Sequence, residues 1–218
     1  MALRLHAITL ADAPHHTGTH PVNEAATDGD GSQNETAVVP FRDLVAVVSE
    51  QRGFMLEETT PSEIERHRAI VDAVFHRSAV LPAPVGAVFR STDVLKRWME
   101  LHYVSLTDAL EFVEDREVAR VHIVRADGKS DDLEAGSDLA AAAAESFRAL
   151  RRRAVAAVPL RLEEVTGLVL SAAFLVERDL WKEFVKAVEE QQDAYHLLRF
   201  DLTGPWAPYD FVRMQFGG

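Results

Sequence analysis

Apolar and polar residues in the first half of the chain follow two different periods. Alternation with a period of two, together with short apolar runs, predicts strands at residues 3–9, 38–39, 44–48 and 80–89. Pro82, Pro84 and Gly86 interrupt the last of these runs, and proline cannot donate a hydrogen bond inside a sheet. We therefore expect this segment to form an edge strand or a bulge.

A period of 3.6 residues predicts two helices in the same half. The first begins with a capping box, in which Ser62 is the cap and Glu65 follows three residues later. The second begins at Ser91 and keeps an apolar stripe as far as Val113, which predicts one long helix of about five turns. His102 lies on this stripe, and we interpret it as a core or boundary histidine.

The second half has a simpler order of elements. Strands are predicted at residues 118–124, 155–162, 168–176 and 196–203. Ser137 and Asp179 are the predicted caps of two helices, which follow the first and the third of these strands. The resulting order, βαββαβ, is the ferredoxin-like pattern.

These patterns predict an α+β protein that consists of two small α+β domains. The N-terminal domain comprises residues 1–116, and the C-terminal, ferredoxin-like domain comprises residues 117–218 and ends in a Gly-Pro-Trp-Ala-Pro-Tyr turn. Residues 12–37 interrupt the first domain with a segment rich in histidine, threonine, glycine, aspartate and asparagine. That composition predicts a flexible loop.

Composition and charge narrow the classes of function. The formal net charge of −12 provides no basic surface of the kind that a nucleic-acid backbone requires, so we expect no nucleic-acid partner. No apolar run in the sequence is long enough to span a membrane. The absence of cysteine excludes disulfides, thiol catalysis and cysteine-ligated zinc.

The sequence contains no recognisable catalytic or metal-binding motif. His15, His16 and His20 form a short-range cluster, but they lie in the predicted loop, where no rigid frame would hold a metal. His6 and His122 alternate with apolar residues, and we interpret them as solvent-facing strand positions. Pairs of adjacent glutamates do not by themselves bring two carboxylates together. We therefore predict that the chain is not an enzyme and holds no metal or cofactor.

The most specific segment lies near the end of the chain, from Leu202 to Val212. Two prolines flank Trp206, and each restricts its own φ and the conformation of the residue before it. Gly204 can adopt backbone angles that are closed to other residues. The chain is therefore predicted to leave its strand here and to present Trp206 and Tyr209 on a stiff turn. These aromatic side chains either lock the last strand against the N-terminal domain or bind a partner.

Four blocks of the sequence together resemble one known protein family. They are the opening strand at residues 1–9, the Val-Leu-Pro block Ala79–Phe89 after a helix containing His67, the Ala-Phe-Leu-Val strand Leu170–Asp179, and the segment Leu202–Val212. The last of them closely resembles the Leu-Thr-Gly-Pro-Trp-Pro-Pro-Tyr-Ser-Phe signature of the GvpF/GvpL family of gas vesicle proteins. The basic residue that the family often carries in the second block is absent here, so no role of that residue can be transferred.

The resemblance implies an accessory or minor structural protein of gas vesicles, the gas-filled protein shells that give cells buoyancy. It implies a role in gas vesicle assembly through contact with the hydrophobic shell protein and with other accessory proteins. It also implies a cytoplasmic protein associated with the gas vesicle, and it places relatives at the gas-facing surface. The predicted family-motif or partner-binding residues are Leu202, Thr203, Gly204, Pro205, Trp206, Pro208, Tyr209, Phe211, Phe174, Pro82 and Gly86.

A second class of function is consistent with the predicted fold alone. A ferredoxin-like domain can serve as a module that binds or senses a small molecule. Such a module needs a polar-lined pocket where a strand meets a helix, and no motif in the sequence indicates one.

Overall fold

The computed structural model describes residues 2–11, 36–51, 60–126, 133–161, 167–212 and 214. The chain forms two compact units, of which the first comprises Met1–Glu114 with Val212–Gly218 and the second comprises Asp115–Phe211. The sequence pattern assigns residues 117–218 to the second domain, whereas Val212 and Met214 pack against the core of the first unit. Most of the predicted loop, with its three histidines, lies outside the described residues.

The described part of the first unit is an antiparallel sheet with helices. Its strands are β1 (Ala2–Leu10), β2 (Thr36–Phe41), β3 (Leu44–Gln51), β4 (Val80–Pro82) and β5 (Val88–Phe89), and its helices are α1 (Pro61–Phe75), α2 (Thr92–Leu101) and α3 (Tyr103–Val113). The strand order is β2-β3-β1-β4, and β5 also pairs with β1. The central strand β1 is largely buried.

The block at residues 80–89 lies at an edge of this sheet, as its prolines predict. It forms the two short strands β4 and β5, which pair with different parts of β1. Gly86, with φ of 90°, lies in the turn between them, and the Pro84 carbonyl oxygen accepts a hydrogen bond from the Ala87 amide at 3.1 Å in the same turn. The chain therefore follows β1 without forming one long edge strand.

Two details of the helices in this unit differ from the predictions. Thr60, not Ser62, caps α1: the Thr60 hydroxyl accepts from the Glu63 amide at 3.3 Å, and the Glu63 carboxylate accepts from the Thr60 amide at 2.8 Å. The box lies two residues earlier because Pro61 takes the first helical position, where no N–H is needed. The predicted long helix is divided at His102 into α2 and α3.

The second unit has the predicted ferredoxin-like order. Its strands are β6 (Arg116–Arg125), β7 (Ala156–Pro159), β8 (Leu168–Glu177) and β9 (Leu198–Trp206), and its helices are α4 (Leu133–Arg151) and α5 (Trp181–Ala194). The strands form an antiparallel sheet in the order β7-β8-β6-β9. The predicted α+β fold class is therefore confirmed.

The predicted helix caps in the second unit are wrong. Helix α4 begins at Leu133, so Ser137 lies inside the helix. A short 3-10 turn, Arg178–Leu180, precedes α5 and contains Asp179, whose side chain caps neither element.

The helices of the second unit pack on one face of its sheet and enclose an apolar core. The Phe174 ring is fully buried, and its centroid lies 5.7 Å from that of Phe147 and 5.3 Å from that of Phe184. Truncating such a side chain to alanine typically costs about 3–5 kcal/mol of stability. Phe174 is therefore a core residue. Among the described residues, no helix is both long and apolar enough to cross a membrane.

Candidate partner-binding site

Strand β9 carries most of the segment that the sequence singles out. It pairs with β6 from Leu198 to Trp206, so Gly204 and Pro205, joined by a cis peptide bond, lie within the strand. A bulge separates Thr203, opposite Arg120, from Trp206, opposite Val118. The predicted departure from the strand at Gly204 is therefore wrong, because cross-strand pairing continues and the turn begins only after Trp206.

Gly204 is required by both backbone angle and space. Its φ of 130° lies in a region that residues with a side chain rarely adopt. A Cβ atom at this position would lie 2.6 Å from the Val118 carbonyl oxygen and 3.0 Å from the Trp181 ring. The glycine therefore allows β9 to approach β6 and α5 closely.

Two tryptophan rings flank Gly204. A Cβ atom there would lie 3.0 Å from the Trp181 ring and 3.4 Å from the Trp206 ring. The Trp206 side chain is 42% exposed, and its Nε1 donates to the Thr203 hydroxyl at 3.2 Å. We call Trp181 and Trp206, whose rings both approach Gly204, the tryptophan patch.

The residues that follow Trp206 anchor the chain to the second unit. Ala207 and Pro208 are buried, and the Asp210 carboxylate accepts two hydrogen bonds from Arg120, at 2.8 and 3.1 Å. The Phe211 side chain packs against a small apolar cluster on the sheet that includes Val118. The motif therefore combines an anchored turn with one exposed aromatic side chain.

The sequence predicts that Trp206 and Tyr209 are displayed together, but the structure places them in different environments. The Trp206 ring is partly exposed, whereas the Tyr209 hydroxyl is buried. The Leu202 side chain is half-buried and packs against the core of the second unit. Pro82 and Gly86 belong to the first unit, in β4 and in the turn after it.

Helix α5 covers part of the edge of β9 that faces away from β6. The Gln192 side-chain amide donates to the Leu198 carbonyl oxygen at 2.8 Å, and its Oε1 accepts from the Phe200 amide at 3.0 Å. The Tyr195 carbonyl oxygen accepts from the Leu198 amide at 2.9 Å. One glutamine therefore replaces a neighbouring strand along the first part of β9. Sequence reasoning misses Gln192, since nothing distinguishes it from the other polar residues of α5.

The residue types of a catalytic triad meet on the sheet face opposite the helices of this unit. His122 stands opposite Ser171 on one side and Asp201 on the other. The Ser171 hydroxyl lies 2.9 Å from His122 Nδ1, but Ser171 is only 3% exposed, and Asp201 accepts two hydrogen bonds from Arg199. A buried hydroxyl cannot reach a substrate, so this row is a structural polar contact.

A pair of histidines is buried in the first unit. His6 is 2% exposed, which contradicts its interpretation as a solvent-facing strand residue. Its Nδ1 lies 3.1 Å from His67 Nδ1, and its Nε2 lies 2.9 Å from the Ser49 hydroxyl. Burial lowers the pKa of His6 to about 3, and it lowers the pKa of His67 as well. Both rings are therefore neutral near pH 7 and link β1, β3 and α1.

The fold and the site define a class of two-unit α+β proteins whose second, ferredoxin-like unit ends in an anchored Gly-Pro-Trp motif. The sequence model of the family described as "Gas vesicle synthesis protein GvpL/GvpF" matches residues 5–138 and 128–213. The chain belongs to this family and is therefore involved in gas vesicle formation.

Individual relatives are similar over most of the chain. It is 28% identical to gas vesicle protein F2 of Halobacterium salinarum over 200 residues, which cover 87% of this chain and 86% of that protein. It is 27% identical to gas vesicle protein F of Haloferax mediterranei over 198 residues, covering 89% of each. The crystal structure of GvpF from Anabaena sp. PCC7120 has the same fold, with a TM-score of 0.76 at 15% identity over 99% of each chain.

Proposed function

We propose that this protein acts in gas vesicle assembly by contacting the hydrophobic shell protein and other accessory proteins through the tryptophan patch. The observation that carries the proposal is the 42% exposure of Trp206 at a position where the surrounding backbone is fixed. Bulky apolar side chains that remain exposed on a rigid surface are typical centres of protein interfaces.

The geometry around Trp206 favours binding in three ways. The ring is held on one side by its hydrogen bond to Thr203, and the backbone beside it is held by close packing at Gly204. A preorganised aromatic side chain loses little conformational entropy when it meets a partner. The anchored turn, fixed through Arg120 and Asp210, prevents the next residues from moving away.

The charge of the protein suits a partner that is itself poorly soluble. A formal net charge of −12 keeps the protein and its complexes dispersed in water. The protein would hold apolar shell subunits until they join the vesicle wall. This role requires a cytoplasmic protein that associates with the gas vesicle.

Trp206→Ala tests the proposal. The variant should lose co-purification with the shell protein, and cells that carry it should form few gas vesicles, because the central apolar contact is missing. Leu197→Ala is the matched control, since Leu197 is 73% exposed on the same unit but lies outside the patch. Normal co-purification and normal vesicle formation by Trp206→Ala would contradict the proposal.

A further inference from the structure

The edge of β9 has a hydrogen-bonding pattern that can be followed residue by residue. Along a strand, the backbone groups of alternate residues point to the same edge. The Leu198 carbonyl and the Phe200 amide point away from β6, because both bond to Gln192. The pairing with β6 has no register shift from Leu198 to Thr203. The amide and carbonyl of Leu202 therefore point to the same outer edge.

The groups on this edge fall into a satisfied part and an open part. The Leu198 amide and carbonyl and the Phe200 amide bond to Tyr195 and Gln192. The described residues provide no hydrogen-bond partner for the next three groups, the Phe200 carbonyl and the amide and carbonyl of Leu202. Backbone groups without a protein partner must bind water or another molecule.

We propose that these three open groups form a docking edge, at which one extended segment of the gas vesicle shell protein pairs with β9. The inference rests on the proposed function and specifies how the partner binds. An extended backbone has the donor and acceptor spacing that such an edge requires, as in other cases of strand addition. Release of edge water and formation of main-chain hydrogen bonds supply the affinity, and the adjacent tryptophan patch supplies apolar contact.

The surroundings of the docking edge restrict the segment that can bind. Gln192 closes the edge towards Leu198, and Pro205, which has no N–H, ends it on the other side. The segment in contact is therefore short, roughly three to five residues. On one face of β9 it meets apolar side chains of the core and patch, and on the other it meets the Arg199–Asp201 ion pair. A segment with alternating apolar and polar residues fits both faces.

Net charge favours the shell protein over a second copy of this chain as the molecule that binds the docking edge. Two copies paired through β9 would bring together two molecules that each carry a net charge of −12. Like charges at an interface oppose association. A neutral or basic segment of an apolar partner meets no such opposition.

Amide hydrogen exchange at single-residue resolution tests the docking edge. The full chain is measured alone and in a co-purified complex with the shell protein. The Leu202 amide should exchange rapidly in the free chain and about tenfold or more slowly in the complex. Two amides serve as internal controls: the Phe200 amide already bonds to Gln192, and the Asp201 amide faces β6. Both should be protected in the free chain and in the complex.

Gln192→Ala extends the test, with Gln191→Ala as its matched control. Removing the Gln192 amide opens the Leu198 carbonyl and the Phe200 amide, so the Phe200 amide should exchange faster in the free variant. In the complex it should regain protection, because the bound segment can now extend further along β9. Gln191→Ala should leave the exchange of Phe200 unchanged.

Each alternative outcome overturns a different statement. If the complex forms and the Leu202 amide remains unprotected, the docking edge is wrong and the proposed function stands. If no complex forms, both are wrong. If Leu202 becomes protected without the shell protein as the chain is concentrated, the occupant is a second copy and the assignment to the shell protein is wrong.

Discussion

The edge strands β4, β5 and β9 of the two sheets differ in length and in the hydrogen bonding of their outer backbone groups. In the first unit, the edge beside β1 consists of the short strands β4 and β5, and Val80, Leu81, Pro82 and Ala83 are all buried. In the second unit, β9 is a long edge strand, and the described residues provide partners for its outer groups only as far as the Phe200 amide. An edge built from short strands and proline offers little to another strand. The edge of β9 is closed by a single glutamine only in its first part, and the part beyond it is the one that we propose for pairing.

The prolines of the two motifs have different positions relative to the sheet edges. Pro82 is the last residue of β4, and Pro84 lies in the turn that leads the chain on to β5 along β1. Pro205 and Pro208 stand on either side of an exposed tryptophan, and only Pro208 is buried. Proline therefore lies within a short, paired edge strand in the first sheet, whereas in the second it lies next to the groups of β9 that we propose as a docking edge.

The largest effect is expected for Gly204→Ala. The added Cβ would lie 2.6 Å from the Val118 carbonyl oxygen, and the alanine would have to adopt a φ of 130°. Strand β9 must therefore shift. We expect a loss of roughly 3 kcal/mol or more in the free energy of unfolding, measured with urea. Gly86→Ala is the comparison in the other edge; its φ of 90° alone should cost about 1–2 kcal/mol. Equal, small losses would show that β9 is not held closely.

The next effect concerns pH and the sheet of the first unit. Burial lowers the pKa of His6 from 6.5 to about 3, so between these values the unfolded chain binds a proton that the folded chain does not. The free energy of unfolding should therefore fall as pH falls below about 6.5, by roughly 2 kcal/mol at pH 5. Urea unfolding at pH 7 and pH 5 measures this loss. His6→Gln should reduce the difference; an unchanged difference would assign it to other groups.

A smaller effect is expected for Asp210→Asn, which weakens the anchored turn. Asp210 is largely buried and accepts two hydrogen bonds from Arg120, so neutralising it should cost about 1–2 kcal/mol of unfolding free energy. Asp201→Asn is the control, since the Arg199–Asp201 pair is exposed and such pairs contribute less than about 1 kcal/mol. Similar losses in both variants would argue against a specific anchor.

The smallest stability effect is expected for Gln192→Ala. The Leu198 carbonyl and the Phe200 amide would exchange their side-chain partner for water, which should cost about 1 kcal/mol. Gln191→Ala, on the same helix, should change the free energy of unfolding by less than about 0.5 kcal/mol. A destabilisation shared by both variants would point to helix α5 as a whole and not to the edge of β9.

Hydrophobic periodicity was sufficient to predict most of the elements, because each element buries one face and that burial repeats with the period of its backbone. The order βαββαβ and the edge position of the proline block both follow from local sequence. The cap of α1 was misplaced because Thr60 and Ser62 are both good caps with a glutamate three residues later, and only the position of Pro61 in the helix distinguishes them.

The features that sequence reasoning missed depend on contacts between distant residues. His6 is buried because it meets His67, 61 residues further on. The chain stays in β9 through Trp206 because it pairs with β6, and the turn beyond it is anchored by Arg120, 90 residues before Asp210. Gln192 bonds to residues only six and eight positions further on, but it does so only because the chain turns back and brings α5 beside β9. None of these pairings leaves a local pattern, so a single sequence could not indicate them.

The most direct test of the binding role of β9 measures stability and binding in the same preparations of two variants. Trp206→Ala should lose about 1–2 kcal/mol of unfolding free energy, because the side chain is only partly buried, and should also lose capture of the shell protein. Asp210→Asn should lose a similar amount of stability, about 1–2 kcal/mol, yet retain capture while it is folded. If capture instead follows stability in both variants, Trp206 serves the fold, and the binding surface does not include the tryptophan patch.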